Sequence, residues 1–138
     1  MEFKIYTSLP EDAKEIRKTV FINEQGFKNE FDNIDKTAYH ILCFENGTPI
    51  GTARIYNDNE SLTYHIGRIA VLKEYRNLHI GSKIISYAEN EIKKLNGNKI
   101  VLSAQVKAKG FYEKCGFTSQ GDIYLDEHCP HIYMYKLL

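Results

Sequence analysis

The sequence is poor in the features that would set it apart from ordinary globular chemistry. Cysteine occurs only three times, at Cys43, Cys115 and Cys129. The number is odd and no two lie close together, which argues against a disulfide framework and for reduced thiols. Neither sign of charge is in excess: lysine plus arginine and aspartate plus glutamate each total 18. With no global basic field, nucleic acid and anionic lipid are not expected partners, and any anion has to be bound locally. No apolar run approaches the roughly 20 residues of a transmembrane helix. The first seven residues carry Glu2 and Lys4 and run straight into a strand pattern, unlike a signal peptide, so a cytoplasmic address is expected. Linkers, internal repeats and low-complexity tracts are also missing.

What is present suits one compact unit, a single domain over residues 1–138. Apolar residues make up 43% and charged residues 26%, ordinary values for a globular chain. A chain of this length buries roughly two-thirds of its unfolded surface and needs no staples. Residues Glu2 to Tyr6 alternate as a half-buried strand, and Ser8-x-x-Glu11 with Pro10 reads as a capping box that opens a helix. Ala13, Ile16, Val20 and Phe21 fall on one face of that helix. A polar, aromatic-dotted stretch to Asp35 reads as loop with a short helix. Tyr39 to Glu45 and Pro49 to Tyr56 are strands flanking Asn46-Gly47, a pair suited to a tight hairpin turn. A second turn at Asn57-Asp58-Asn59-Glu60 leads to a strand ending near Val71. Ile80, Ile84, Ile85, Ala88, Ile92 and Leu95 form a helical stripe closed by Asn96-Gly97. Lys99 to Ser103 reads as a strand, Val106 to Lys114 as a short helix, and Phe117 to Leu137 as two strands. The expected fold is mixed α/β, with a mostly antiparallel sheet that gains one parallel neighbour across the Ile80 to Leu95 helix.

Two segments carry chemistry. Between Val71 and Ser82 an apolar strand breaks at a polar turn and restarts as an amphipathic helix. A helix start offers backbone N–H groups without intrahelical partners, and the aligned dipoles add partial positive charge, so a diphosphate finds oriented donors there. Downstream, Ala104-Gln105 precedes Ala108, Phe111, Tyr112, Cys115, Gly116 and Phe117. In the first segment Arg76, His79 and Gly81 occupy the marked positions of a Gln/Arg-x-x-Gly-x-Gly/Ala loop, and the second follows Asn-x-x-Ala-x-x-Phe-Tyr-x-x-x-Gly-Phe with Gln105 in the Asn place. Val20-Phe21, Glu24-Gln25, Glu30, Asp32, Asp35, His40, Gly51 to Arg54, Gly67-Arg68, Ala70-Val71 and Pro130-His131-x-x-Met134 extend the likeness. On these residues the chain resembles the GNAT superfamily of acyl-CoA-dependent N-acyltransferases over nearly its full length.

The resemblance implies a single GNAT-like domain whose splayed central strands, flanked by helices, admit the pantetheine arm of acetyl-CoA, with no metal. By that analogy Ile69, Ala70 and Val71 flank the arm, and Arg76, Asn77, Leu78, His79, Ile80, Gly81 and Ser82 hold the diphosphate, with Gln105 and Tyr112 completing the co-substrate site. His79 departs from the family's glycine: it keeps a backbone N–H but reaches positive φ less cheaply. The implied reaction is direct attack of a primary amine, on a small molecule or a protein, within a ternary complex. A backbone N–H near Ala70 or Val71 would meet the oxyanion, and Tyr112 would protonate the departing thiolate. Glu24, His40 and His131 are candidates for the base, Glu24 and His131 foremost.

Each of these residues also has a purely structural reading. Tyr112 can simply pack, Glu24 can pair at the surface, and Arg54 and Arg68 can bridge structural carboxylates as readily as they orient a substrate carboxylate. Cys115, three residues after Tyr112, raises an acyl-cysteine route that lacks a visible base. His128-Cys129-x-His131 lacks the paired ligands of a zinc site. Two other functions fit parts of the pattern: a non-catalytic acyl-CoA sensor, and a synthase of acyl-homoserine lactones. Exposed β-edges leave room for a homodimer.

Overall fold

The computed structural model describes residues 1–59 and 61–138; Glu60, the last residue of the expected second turn, lies outside them. Among the described residues seven strands form one sheet in the order β1-β2-β3-β4-β5-β7-β6. They are β1 (Glu2–Tyr6), β2 (Tyr39–Glu45), β3 (Thr48–Asn57), β4 (Thr63–Val71), β5 (Lys99–Gln105), β6 (Thr118–Asp126) and β7 (Cys129–Leu137). Among the described residues only β4 and β5 run parallel, joined by the crossover helix α2 (Ile80–Lys94), as a parallel pair requires. Helix α1 (Glu11–Arg17) covers one face of the sheet and α2 the other, so β2 is buried on both sides around Ile41, Leu42 and Cys43. The stripe Ile80, Ile84, Ile85, Ala88 and Ile92 is the buried face of α2. The short α3 (Lys109–Lys114) precedes β6.

The turn chemistry agrees with the sequence pattern. Asn46 and Gly47 sit at φ 51° and 80°, joining β2 to β3, the sign that a two-residue hairpin demands. Asn96, at φ 64°, closes α2, and Gly97 N–H donates to the Ile92 carbonyl at 2.9 Å. A Cβ at Gly97 would collide with Ile92 and Tyr64. The amino-terminal cap is different. The first helix begins at Glu11 with Pro10 at the cap position and no side-chain hydrogen bond, so Ser8 and Glu11 form no capping box. Helical dipole and an orphaned set of N–H groups are left to Glu11 and Asp12 in the first turn. The helix then widens into a π-helical run, Lys18–Glu24, which the 3.6-residue periodicity does not foreshadow.

Two irregularities position the site. The β4–β5 pairing extends only from Thr63–Lys99 to His65–Val101, after which the strands diverge. In β4, the pairing with β3 slips between Thr52–Ala70 and Arg54–Gly67, and Arg68 takes φ 51°. This is a bulge: one extra residue bends the strand away from its neighbour and re-aims the side chains after it. From Ile66 onward the β5-facing edge of β4 is therefore free of ladder partners.

Candidate active site

The divergence of β4 and β5 opens a cleft of about 1100 Å³. One wall is β4 from Ile66 to Val71, and the opposite wall is Leu102, Ser103 and Gln105 of β5. The turn after β4 and the start of α2 supply Arg76, Asn77, His79, Ile80, Gly81 and Ser82. His79 is the cap residue of α2, held at φ 59° and ψ 21°, and no side chain caps the helix. Asn77 is also left-handed, at φ 66°. The uncapped N–H groups thus end at the cleft, where an anion would satisfy them. Gly81 lies against the Phe111 ring, which a Cβ would approach to 3.1 Å.

Tyr112 on α3 and Cys115, the residue just after that helix, line the cleft. The Tyr112 ring packs edge-on against Phe111 and Phe117, and among the described residues its hydroxyl has no hydrogen-bond partner. Burial, assisted by the Cys115 thiol, pushes this phenol up to about 12, so it keeps its proton throughout the neutral range. The Cys115 thiol is itself pushed up, by burial and then by Glu89, which leaves it a poor nucleophile.

His131, buried on β7, closes the far end of the cleft. Its Nδ1–H donates to the Cys129 carbonyl at 2.9 Å, so the neutral ring carries its lone pair on Nε2. Phe27 and Tyr124 hold the ring from two sides, and the Tyr124 and Ser103 hydroxyls are hydrogen-bonded to one another. Gln105 donates to Gln25 at 2.8 Å, tying β5 to the end of the π-helical run.

Residues 7–138 match the model of the acetyltransferase (GNAT) domain. The chain belongs to the GNAT acetyltransferase family. A Bacillus subtilis (strain 168) protein whose name calls it a candidate acetyltransferase, BSU40680, is 35% identical over 132 residues, covering 90% of this chain and 86% of that one. Escherichia coli ElaA, in crystal form, superposes with a TM-score of 0.88 at 25% identity, covering 98% of each chain. A Bacillus subtilis acetyltransferase solved in complex with CoA shares the fold at a TM-score of 0.78 and 15% identity. As a member of this family the chain is an acyltransferase enzyme. The acyl-homoserine lactone synthase BjaI is a neighbour in fold alone, with a TM-score of 0.78 and 14% identity.

In this GNAT chain the sequence-nominated residues separate into two groups. Ile69, Ala70, Val71, Arg76, Asn77, His79, Ile80, Gly81, Ser82, Gln105, Tyr112 and His131 meet in one cleft, whereas Leu78 and Glu24 are outside its lining. Glu24 pairs with Arg76 at 2.9 Å, and Arg76 also donates to the Val71 carbonyl at 2.9 Å, so both side chains fasten the turn. His40 is buried in β2 and hydrogen-bonded to the Asp35 carbonyl at 2.9 Å. Burial, against the pull of Asp35, holds its pKa below the usual histidine range. Among the described residues no group of three or more His, Cys, Asp or Glu side chains could hold a metal ion.

Arg54 and Arg68 belong to a network that fixes the loop over the cleft. Arg17 pairs with Glu30 and Asp35, each at 2.8 Å. Arg54 reaches Asp32 at 2.7 Å and Asp35 at 2.9 Å. Arg68 reaches Glu30 at 2.9 Å and its carbonyl at 3.0 Å. Burial disfavours the Asp35 carboxylate, but the hydrogen bonds from Arg17 and Arg54 prevail and hold it down at about 2. Phe27 and Glu127 of the site escape a reading of the sequence, and Glu30 is visible there only within the family likeness, together with Asp32 and Asp35. Glu127 has no signal, since its partners, the N–H groups of Lys28 and Asn29 at 2.9 and 3.0 Å, lie 99 and 98 residues away.

Proposed function

We propose that the protein transfers an acetyl group from acetyl-CoA to a primary amine by direct attack within a ternary complex. The observation that carries this reading is the parting of β4 from β5 beside an uncapped helix start and an unpartnered phenol. Family membership and a CoA-bound fold neighbour support it. In this reading the N–H groups from His79 to Ser82 hold the diphosphate, and the free edge of β4 at Ile69, Ala70 and Val71 aligns the pantetheine arm. A β4 N–H at Ala70 or Val71 donates to the carbonyl oxygen as negative charge develops there.

The amine nitrogen forms its bond to the thioester carbon, the carbonyl π-pair moves to oxygen, and collapse of that oxyanion breaks the C–S bond. His131 Nε2 takes the proton released from nitrogen. Tyr112 faces the departing sulfur. A phenol pushed up to about 12 is a weaker acid than the departing thiol, so Tyr112 keeps its proton and steadies the developing thiolate by a hydrogen bond, while the proton that His131 took from the amine reaches the sulfur through water. Acetyl amide and free CoA thiol are the products.

The test is an amine-library screen that follows CoA release. Turnover with at least one amine, dependent on acetyl-CoA, is the expected result. Tyr112→Phe should lower turnover by about 10²-fold to 10⁴-fold with acetyl-CoA affinity retained. Undiminished turnover removes the phenol from the mechanism, and absence of acetyl-CoA binding to the folded protein overturns the whole reading.

A further inference from the structure

Glu30 has a part in the cleft that the ion-pair network does not account for. The residue is 4% exposed yet lines the cavity. Its Oε2 takes both cations, Arg17 Nε and Arg68 Nε, at 2.8 and 2.9 Å. Its Oε1 has no hydrogen-bond partner among the described residues and is not an enclosed atom, since among them the one enclosed side-chain polar atom without a partner is Arg54 Nε; Oε1 therefore opens into the cavity. A carboxylate oxygen presented to a cavity is an acceptor for water or for a ligand N–H. Burial outweighs Arg68 and Arg17 and raises the group above the ordinary carboxylate range, so the two guanidinium groups leave its charge undercompensated.

Its neighbours have the same sign. Asp126 and Glu127 line the same cavity from the β6–β7 turn. Hydrogen bonds from the Lys28 and Asn29 N–H groups hold Glu127 below the usual carboxylate range, and hence anionic. Arg68 is the one cation on the β4 wall, and it is committed to Glu30 and Asp32. The remaining lysine and arginine lining is Arg76, paired with Glu24 in the turn before α2, and Lys107 and Lys114 on the β5–α3 side with Tyr112.

We propose that Glu30 Oε1 receives the nitrogen of the acceptor, and that the acceptor is a basic aliphatic amine bearing no carboxylate. This rests on the reading of the cleft as an acetyl-transfer site, and it adds a substrate class to that reading. Glu30 binds the amine as a cation; after release of one proton to water the neutral nitrogen attacks. A carboxylate on the acceptor would meet the like charges of Glu30, Asp126 and Glu127, which line the same cavity.

Three probes of equal chain length test it on the full-length protein with acetyl-CoA: 1,4-diaminobutane, butylamine and 4-aminobutanoate. Both basic amines should exceed 4-aminobutanoate in kcat/KM by about tenfold or more, the scale of one charged hydrogen bond. Glu30→Gln should raise the butylamine KM about 10-fold to 100-fold, with kcat within a few fold and acetyl-CoA affinity unchanged. Because that variant also weakens the Arg17 pair and can fail to fold, butylguanidinium, a cation that does not react, serves as a second arm. On the wild-type protein it should compete with butylamine and not with acetyl-CoA. Equal or inverted selectivity, a folded Glu30→Gln with unchanged amine KM, or no competition overturns the proposal. Should no amine turn over, the transfer reading falls alone; butylguanidinium binding by calorimetry then decides this one, upheld by binding and overturned by its absence.

Discussion

At the scale of single residues, His79 shows how a local conflict is resolved. The turn before α2 needs a left-handed residue, and His79 supplies it at φ 59° where glycine would do so without strain. A non-glycine residue in that region costs roughly 1–2 kcal/mol, against roughly 0.5–1 kcal/mol of extra chain entropy that a glycine loses on folding. The balance favours His79→Gly by up to about 1 kcal/mol, which for a chain of this size is a Tm higher by roughly 2–5 °C. Thermal unfolding checks it, and a lower Tm would mean that the histidine makes a compensating contact. Calorimetry on the same variant separates the two ways His79 can act on CoA: a tighter Kd marks steric crowding by the ring, a weaker one marks donation from it. Asn77 is left-handed as well, at φ 66°, and asparagine and histidine are both among the non-glycine types found most often in this region, so the turn spreads its strain over two tolerant positions.

Among elements, the loop from Phe27 to Lys36 depends on partners far away in the chain. Arg17 on α1, Arg54 on β3 and Arg68 on β4 fix its carboxylates, and the β6–β7 turn fixes its backbone through Glu127. Glu127→Ala should therefore speed amide hydrogen exchange at Lys28 and Asn29 several-fold while leaving α2 amides alone. It should also raise the amine KM more than the acetyl-CoA Kd; equal protection in the two proteins would show that the turn merely rests on the loop. The same dependence on distant partners separates what the sequence makes legible from what it hides. The strands, the Asn46-Gly47 hairpin and the α2 stripe follow from spacings of two to four residues, and periodicity exposes those. The capping-box pattern at Ser8 and Glu11 misleads because Pro10 itself takes the cap position, leaving Ser8 outside the helix. The π-helical run, the Arg68 bulge and the Glu30 network stay hidden because each is set by tertiary pairing between segments. The co-substrate cleft is legible only through the motif around Tyr112, since nothing in residues 63–71 and 99–105 by themselves says that two parallel strands part after three pairs.

On the scale of the whole molecule, that parting divides the sheet into β1–β4 and β5–β7, bridged by three residue pairs, by α2 and by the charged network with its loop. Stability in acid should report on the bridge. Asp35 is depressed from 3.8 to about 2, so its contribution is complete above the unfolded value and is lost as pH falls from about 4 through about 2. The shift corresponds to roughly 2 kcal/mol. Asp32 is lowered as well, chiefly by its hydrogen bond from Arg54, and acts in the same direction. Glu30 is raised by burial and has the opposite sign: it costs stability at neutral pH and returns it as it protonates. His40, depressed by burial, contributes stability above about pH 6.5 that declines as the unfolded state takes up a proton. Between pH 6.5 and about 4 the Glu30 and His40 effects oppose, giving a shallow slope, and below about 4 the two aspartates bring a steep loss. Urea unfolding midpoints measured from pH 2 to 8 should trace this shape. Asp35→Asn should lower the plateau and flatten the acid limb together, because the Arg17 and Arg54 charges are left unmatched at every pH. A lowered plateau with the acid limb unchanged would place the acid sensitivity in carboxylates outside the bridge.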